Sequence, residues 1–174
     1  MGRQRVAFIN GPRTRVSAQH RYRGYQAALA DWGIQPNPRW EEEGDFFVPG
    51  GYRAMASIWE RARPDALFAA NDFMAIGAMN FLKEKGVRIP DDVAVVGYDN
   101  TESSALVQPA LTTIDPPLRE LGEQAAQTLI SLIDHSEECK QDQPVPITAS
   151  TTVVSGKLVV RDSCGALSVG TSST

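Results

Sequence analysis

The sequence predicts an α/β fold: a mainly parallel sheet with helices on both faces, plus part of a second lobe. Three observations carry this. Short apolar runs alternate with helical patterns through residues 5–100, the signature of strands joined by crossover helices. The stretch from Asp65 to Asn100 reads strand, turn, helix, turn, strand. Its short connections imply two parallel strands around one helix. Asp115-Pro116-Pro117 then breaks the chain just before its clearest amphipathic helix.

Arg5 to Asn10 is an apolar run closed by Gly11-Pro12, the pattern of a buried strand. Ser17 is placed to cap the next helix, its hydroxyl accepting from first-turn amides. Tyr22, Tyr25, Leu29 and Trp32 follow at helical spacing and Gly33 ends the helix. Gly24 within it, about 1 kcal/mol worse than Ala in a helix, marks close packing. Trp40 opens a segment whose glutamates at 41–43 suit a strand only at an edge. Gly44-Asp45-Phe46 is turn-like, and Phe46 and Phe47 line a pocket or plug the core. Pro49-Gly50-Gly51 restarts the chain. A stripe of Tyr52, Met55, Ala56, Trp59 and Ala62 makes the second helix, stopped by Arg63-Pro64.

In the central unit, Ala66 to Ala70 ends at Asn71-Asp72, a helical pattern runs from Phe73 to Lys85, and Val93 to Val96 ends at Gly97-Tyr98-Asp99-Asn100. Thr101 to Ser104 is polar and Leu111 to Ile114 is β-prone. Leu118, Leu121, Gly122, Ala125, Ala126, Leu129, Leu132 and Ile133 form one apolar helix face. Ser136 to Pro144 reads as a polar linker, Val145 to Val154 as β-prone, Leu158 to Arg161 as a final strand and Ala166 to Thr174 as a disordered tail.

At 174 residues the chain is long enough for one domain and short for two. A net charge of −4 gives no electrostatic footprint for nucleic acid. The early arginines 3, 5, 13, 15, 21 and 23 read as a solvated chain start and helix face. Cys139 and Cys164 lie in no metal or disulfide pattern, so a reducing, cytoplasmic setting is expected. No signal peptide and no membrane-spanning run is visible, so the protein is expected to be soluble and not exported.

No glycine-rich phosphate loop, nucleophile elbow, zinc helix or Cys/His pair occurs. His20 and His135 read as surface residues, and no metal or cofactor is expected. What remains is a collection of polar groups just past two strand ends, where open α/β sheets bind ligands. Asp45, Asp72 and Asp99 are the acids at such positions, with capping and turn formation as the alternative roles of all three. Asp99 and Asn71 suit a neutral polyhydroxylated ligand, since Asp accepts from two hydroxyls and Asn both donates and accepts. Arg21 adds a fork of donors, and Phe46 an apolar wall for a sugar face.

The strings SAQHRYRGYQAAL, EEEGDF, AND-x-MAIGA, P-x-D-V-x-VVGYD, PALTTIDPPLRELGEQA and LVVRDSC together resemble the effector-binding domain of the LacI/GalR family of bacterial transcription regulators. The likeness covers nearly all of residues 5–164 in the family's order. It implies a periplasmic-binding-protein-like lobe of type I over 1–114 and an incomplete returning helix and strand of the other lobe over 115–154. A final strand over 155–164 and a tail over 165–174 complete the chain. The DNA-binding domain and half of the effector cleft are then absent. By the same likeness the ligand-binding positions fall on Ser17, Arg21, Phe46, Asn71 and Asp99. Pro116 stands where many members carry Gln, which removes one polar contact of the family pattern.

The resemblance implies a sugar-like small-molecule effector and a homodimer contact involving Ile76, with DNA engaged only through the absent domain. The helix after Asn71 is apolar on more than one side, which fits either a partner or burial within its own domain. A sugar-binding protein of a transport system is the alternative, but it needs an export signal. An enzyme on the same scaffold is the other, and no nucleophile–base or metal constellation supports it.

Overall fold

The computed structural model describes residues 2–138 and 153–166. These described residues form two compact units, one of 2–115 with 158–166 and one of 116–138 with 153–157. The first unit is built on strands β1 (Val6–Asn10), β2 (Glu41–Glu43), β3 (Ala66–Ala69), β4 (Ala94–Tyr98) and β5 (Thr112–Asp115). With β6 (Lys157–Val159) they form a six-stranded sheet in the order β2-β1-β3-β4-β5-β6. Every registered pair from β2 to β5 is parallel, as the strand–helix alternation predicts. β2 is the expected edge strand: its three glutamates lie on the sheet margin, where charge blunts an open edge.

Helices α1 (Val16–Asp31), α2 (Val48–Arg61), α3 (Asp72–Glu84) and the short α4 (Glu102–Leu106) complete this unit. Strand alternation sorts the side chains into two faces. Ala7, Ile9, Leu67, Ala69 and Val95 share one face by register and are buried. This face lies against α2 and α3, with Met74 of α3 beside Ile9 and Gly44. The two helices approach through glycine. A methyl group on Gly51 would strike the Met74 backbone, and one on Gly77 would strike the backbone of Val48 and Tyr52. α3 thus packs one side on the sheet and one on α2, while Phe73 is 42% exposed and Ile76 only partly covered. Ile76 is half-buried against the same core.

The opposite face carries Phe8, Phe68, Val96, Tyr98 and Ile114. Here Phe8 stacks on Tyr25 with ring centroids 4.8 Å apart, and the Tyr25 hydroxyl donates to the Val6 carbonyl at 2.8 Å. Beside α1 an apolar groove of about 590 Å³ runs over Ala66, Phe68, Ala94, Val96 and Ile114. Gly24 lines this groove and has open space where a Cβ would stand. The close packing expected at Gly24 is therefore not observed. Trp32, expected at helical spacing with Tyr25 and Leu29, is the C-cap of α1, lines this open groove and is 84% exposed.

Several boundaries differ from expectation. α1 is capped by Arg15 without a side-chain bond, and Ser17 lies inside the first turn. Pro49-Gly50-Gly51, expected to restart the chain ahead of the helical stripe, is itself part of the first turn of α2, since Pro49 is tolerated where the amide has no intrahelical partner. Glu102–Leu106 is helical where only a polar connection was expected.

In the second unit α5 (Leu118–Glu138) extends past Ser136, into the stretch expected as linker. Its Leu118, Leu121, Leu129, Leu132 and Ile133 are exposed. Val153 and Val154 are not in a strand. The remainder of the expected strand at 145–152, the linker from 139, Cys139 and the tail from 167 lie outside the described residues.

Candidate functional site

The site gathers at the carboxyl ends of the parallel strands, the position the sheet topology dictates for ligands. β1 ends at Asn10-Gly11, β3 at Ala70-Asn71 and β4 at Asp99-Asn100, with the turn after β2 bringing Phe46 alongside. Arg21, in the second turn of α1, reaches across this edge. Its Nη1 donates to the Ala70 carbonyl at 2.7 Å and its Nη2 to Asp99 Oδ1 at 3.0 Å. The guanidinium also lies over the Tyr98 ring, 4.0 Å from the centroid, a favourable cation–π geometry. Arg21 is thus held from three sides while one carboxylate oxygen of Asp99 has no part in the pair. Ser17 precedes Arg21 by one helical turn, which puts both on one face of α1, and Ser17 is exposed.

Asn71 has a different role from the one its position suggests. Its Oδ1 accepts from the Met74 amide at 2.9 Å, so Asn71, and not Asp72, is the N-cap of α3. Its Nδ2 donates to the Phe46 carbonyl at 2.9 Å. The Phe46 ring lies against Gly11, where an added Cβ would collide with it. Asn71 and Gly11 therefore fix the aromatic wall jointly. Asp45 is the turn residue the alternative role describes: its Oδ1 accepts from the Phe47 amide at 2.9 Å and its Oδ2 from Arg53 at 2.9 Å.

Backbone strain marks the same place. Phe46, Asp99 and Asn100 have φ of 70°, 106° and 48°, the left-handed region that costs about 1–3 kcal/mol per non-glycine residue. Such strain persists only where surrounding contacts over-determine it, and the contacts are visible. The Asp99 amide donates to the Ile114 carbonyl at 2.9 Å and the Asn100 amide to Thr113 Oγ1 at 3.3 Å. Asp72, fully buried, accepts from Thr113 Oγ1 at 2.6 Å and from the Thr101 amide at 2.8 Å. Asp72 thereby clips the loop after β4 to the start of α3. It faces inward and is no ligand candidate.

Burial pushes the Asp99 carboxyl above its ordinary range, an effect the Arg21 charge opposes and the nearby Asp72 reinforces. Burial also raises Asp72, opposed by the hydroxyls and amide that bond it. The site thus offers a guanidinium, a carboxylate and an aromatic face in a partly dry setting. That donor set suits hydroxyl-bearing ligands. Among the described residues no His, Cys, Asp and Glu cluster could hold a metal ion, and no helix is long and apolar enough to cross a membrane. Sequence reasoning passed over the supporting role of Asp72 and did not single out Thr101, Thr113 or Arg161. Threonines in a β-prone run carry no local signal for a polar bracket.

Comparisons with known proteins converge on one family. Residues 1–164 match the family described as periplasmic binding protein-like domain. The transcriptional repressor PurR of Aliivibrio fischeri strain MJ11, of helix-turn-helix type, is 39% identical over 158 residues, covering 87% of this chain and 47% of the relative. PurR of Haemophilus influenzae strain Rd is 37% identical over 138 residues, covering 79% and 41%. The solved complex of the transcriptional regulator CelR with cellobiose superposes with a TM-score of 0.82 at 34% identity, covering 93% of this chain and 47% of that one. The lac repressor dimer bound to operator and the anti-inducer ONPF gives 0.81 at 34% identity, covering 94% and 46%. The chain spans less than half the length of these relatives.

Proposed function

Because the chain belongs to the periplasmic-binding-protein-like domain family, in the branch of LacI-type transcriptional regulators, we propose that it binds a small hydroxylated effector and contributes to control of DNA binding. The observation that carries the reading is the Arg21–Asp99 pair at the sheet edge beside the left-handed Phe46. Asp99 supplies acceptors and Arg21 supplies donors. Phe46 supplies the apolar face, with Asn71 holding it in place and Ser17 at the mouth. A sugar or related polyol satisfies all of these, and the cellobiose complex of a structural neighbour supports that ligand class.

Control of DNA binding would follow from linkage. A ligand that prefers one arrangement of the whole regulator biases the form that engages operator, and by a reciprocal amount. DNA contact itself belongs to a domain outside this chain, in a cytoplasmic, homodimeric protein with Ile76 at the subunit contact. The named relatives are transcriptional repressors and not enzymes, and they lend no support to the transport alternative.

Isothermal titration of this chain against cellobiose, other mono- and disaccharides and nucleosides tests the reading. Saturable binding of one class, lost in Asp99→Ala, is expected. Binding that survives both Asp99→Ala and Arg21→Ala would move the site elsewhere.

A further inference from the structure

Arg161 touches none of the proposed ligand groups, yet it grips the loop that presents one of them. Its Nη2 donates to Asn100 Oδ1 at 2.7 Å, and its Nη1 to Ser104 Oγ at 2.9 Å and the Leu111 carbonyl at 2.7 Å. Three acceptors from three points of the chain thus define the plane of the guanidinium. The Arg161 backbone is fixed as well. Its amide donates to Thr112 Oγ1 at 2.9 Å, and Thr112 Oγ1 donates back to the Arg161 carbonyl at 3.1 Å. Two residues on, Ser163 Oγ accepts from the Thr112 amide at 2.8 Å and donates to the Val95 carbonyl at 2.6 Å. This is a built-in side chain and not a surface arginine that happens to lie near a carbonyl.

The loop it grips needs a tether. Asp99 and Asn100 are consecutive non-glycine residues in the left-handed region. On either side of Asn100, the Asp99 amide donates to the Ile114 carbonyl and the Thr101 amide to the Asp72 carboxylate. The Asn100 amide has a longer bond to Thr113 at 3.3 Å. The firm hold on Asn100 is its side chain on Arg161.

We propose that Arg161 is a positioning residue for the ligand site: through Asn100 it keeps the Asp99–Asn100 backbone left-handed and so aims the Asp99 carboxylate at Arg21 and the ligand. The proposal rests on reading Asp99 as a ligand acceptor. Lysine cannot replace it fully, because one ammonium does not match three acceptors arrayed around a planar fork.

The test is nuclear magnetic resonance on the full 174-residue chain, comparing Arg161→Met, Arg161→Lys and Asn100→Ala. Amide exchange at Asn100 and Thr101 and the HN–Hα couplings of Asp99 and Asn100 report the loop, while exchange at Leu67 and Val95 reports the sheet. Arg161→Met is expected to speed loop exchange at least ~10-fold and shift both couplings away from left-handed values, with the sheet amides within ~2-fold. Arg161→Lys should fall between, and Arg161→Met combined with Asn100→Ala should add nothing to either alone. Should Arg161→Met fail to fold, Arg161→Lys and Asn100→Ala carry the same comparison. Unchanged couplings, or sheet amides accelerated as much as the loop, overturn the proposal. Cellobiose titration separates the two readings. Binding by wild type that weakens ~10-fold in Arg161→Met supports both, and equal binding by the variant overturns the positioning role. No binding by wild type counts against the sugar reading, and the loop measurements still decide the role of Arg161.

Discussion

Arg21 Nη2 stands 3.0 Å from Asp99 Oδ1 while Nη1 of the same guanidinium holds the Ala70 carbonyl at 2.7 Å. One side chain on the first helix thus links the ends of β3 and β4. A ligand entering here meets a donor and an acceptor that already satisfy each other, so it must share the pair rather than fill an empty slot. Removing Arg21 leaves the Asp99 carboxylate without its cation, whereas removing Asp99 leaves Arg21 on the Ala70 carbonyl and the Tyr98 ring. Either change takes from the ligand a charged hydrogen-bonding group, worth about 2 kcal/mol. Arg21→Ala and Asp99→Ala are each expected to weaken effector binding on the order of 30-fold or more. Calorimetry returning wild-type affinity for both would reject the assignment.

Asn71 separates two roles in one side chain. Asn71→Asp keeps the cap acceptor for the Met74 amide but loses the donor to Phe46 and faces a carbonyl with a carboxylate. Asn71→Ala loses both. We expect Asn71→Asp to lower stability by about 1–2 kcal/mol and Asn71→Ala by about 1 kcal/mol more, measured by urea denaturation. Equal stability of Asn71→Asp and wild type would show that the Phe46 contact contributes nothing.

Acid should reveal the raised carboxyls. Asp72 and Asp99 both lie above the ordinary 3.8 in the folded protein. Between 3.8 and their raised values the native state binds more protons than the unfolded one. Stability therefore falls as pH rises through that window and levels above it. Asp92, held low by Arg88, acts with the opposite sign but below 3.8, so the windows separate. Asp99→Asn should flatten part of the slope above 3.8 in melting temperature against pH. An unchanged slope would show that Asp99 titrates normally.

The approach of α2 to α3 depends on Gly77, where a methyl group would meet backbone atoms of Val48 and Tyr52. Backbone cannot step aside as a flexible side chain can. Gly77→Ala should destabilise by about 1–3 kcal/mol or more, despite the better helix propensity of alanine. A gain in stability by chemical denaturation would mean that the helices can separate freely.

The exposed stripe of α5, with Leu129 and Ile130 each 58% exposed, gives the isolated chain a contiguous apolar surface. Such surfaces associate. Sedimentation is expected to show self-association that rises with concentration and falls in Leu121→Glu combined with Leu129→Glu. A wild-type monomer at all concentrations with a sharp cooperative melt would contradict this.

The sequence by itself determined the strand–helix order, the parallel pairing, the glutamate edge strand and the sheet edge at which polar groups collect. Each follows from local rules: apolar period, chain breaks, and the short reach of a connection. It also singled out Asp99, because it directly follows an apolar strand, while Arg21 and Phe46 were marked by the family resemblance of the strings around them. The tertiary structure alone decided what those side chains touch. Asn71 serves two backbone groups, Asp72 is an internal clip rather than a cap, and Ser17 lies inside its helix. It alone joined Arg161 to Asn100 across a separation of 61 residues. The physical reason is range. Hydrophobic period and turn chemistry act over a few residues, whereas the left-handed strain at Asp99 is held by β5, α3 and the C-terminal segment, which meet only once the sheet has formed.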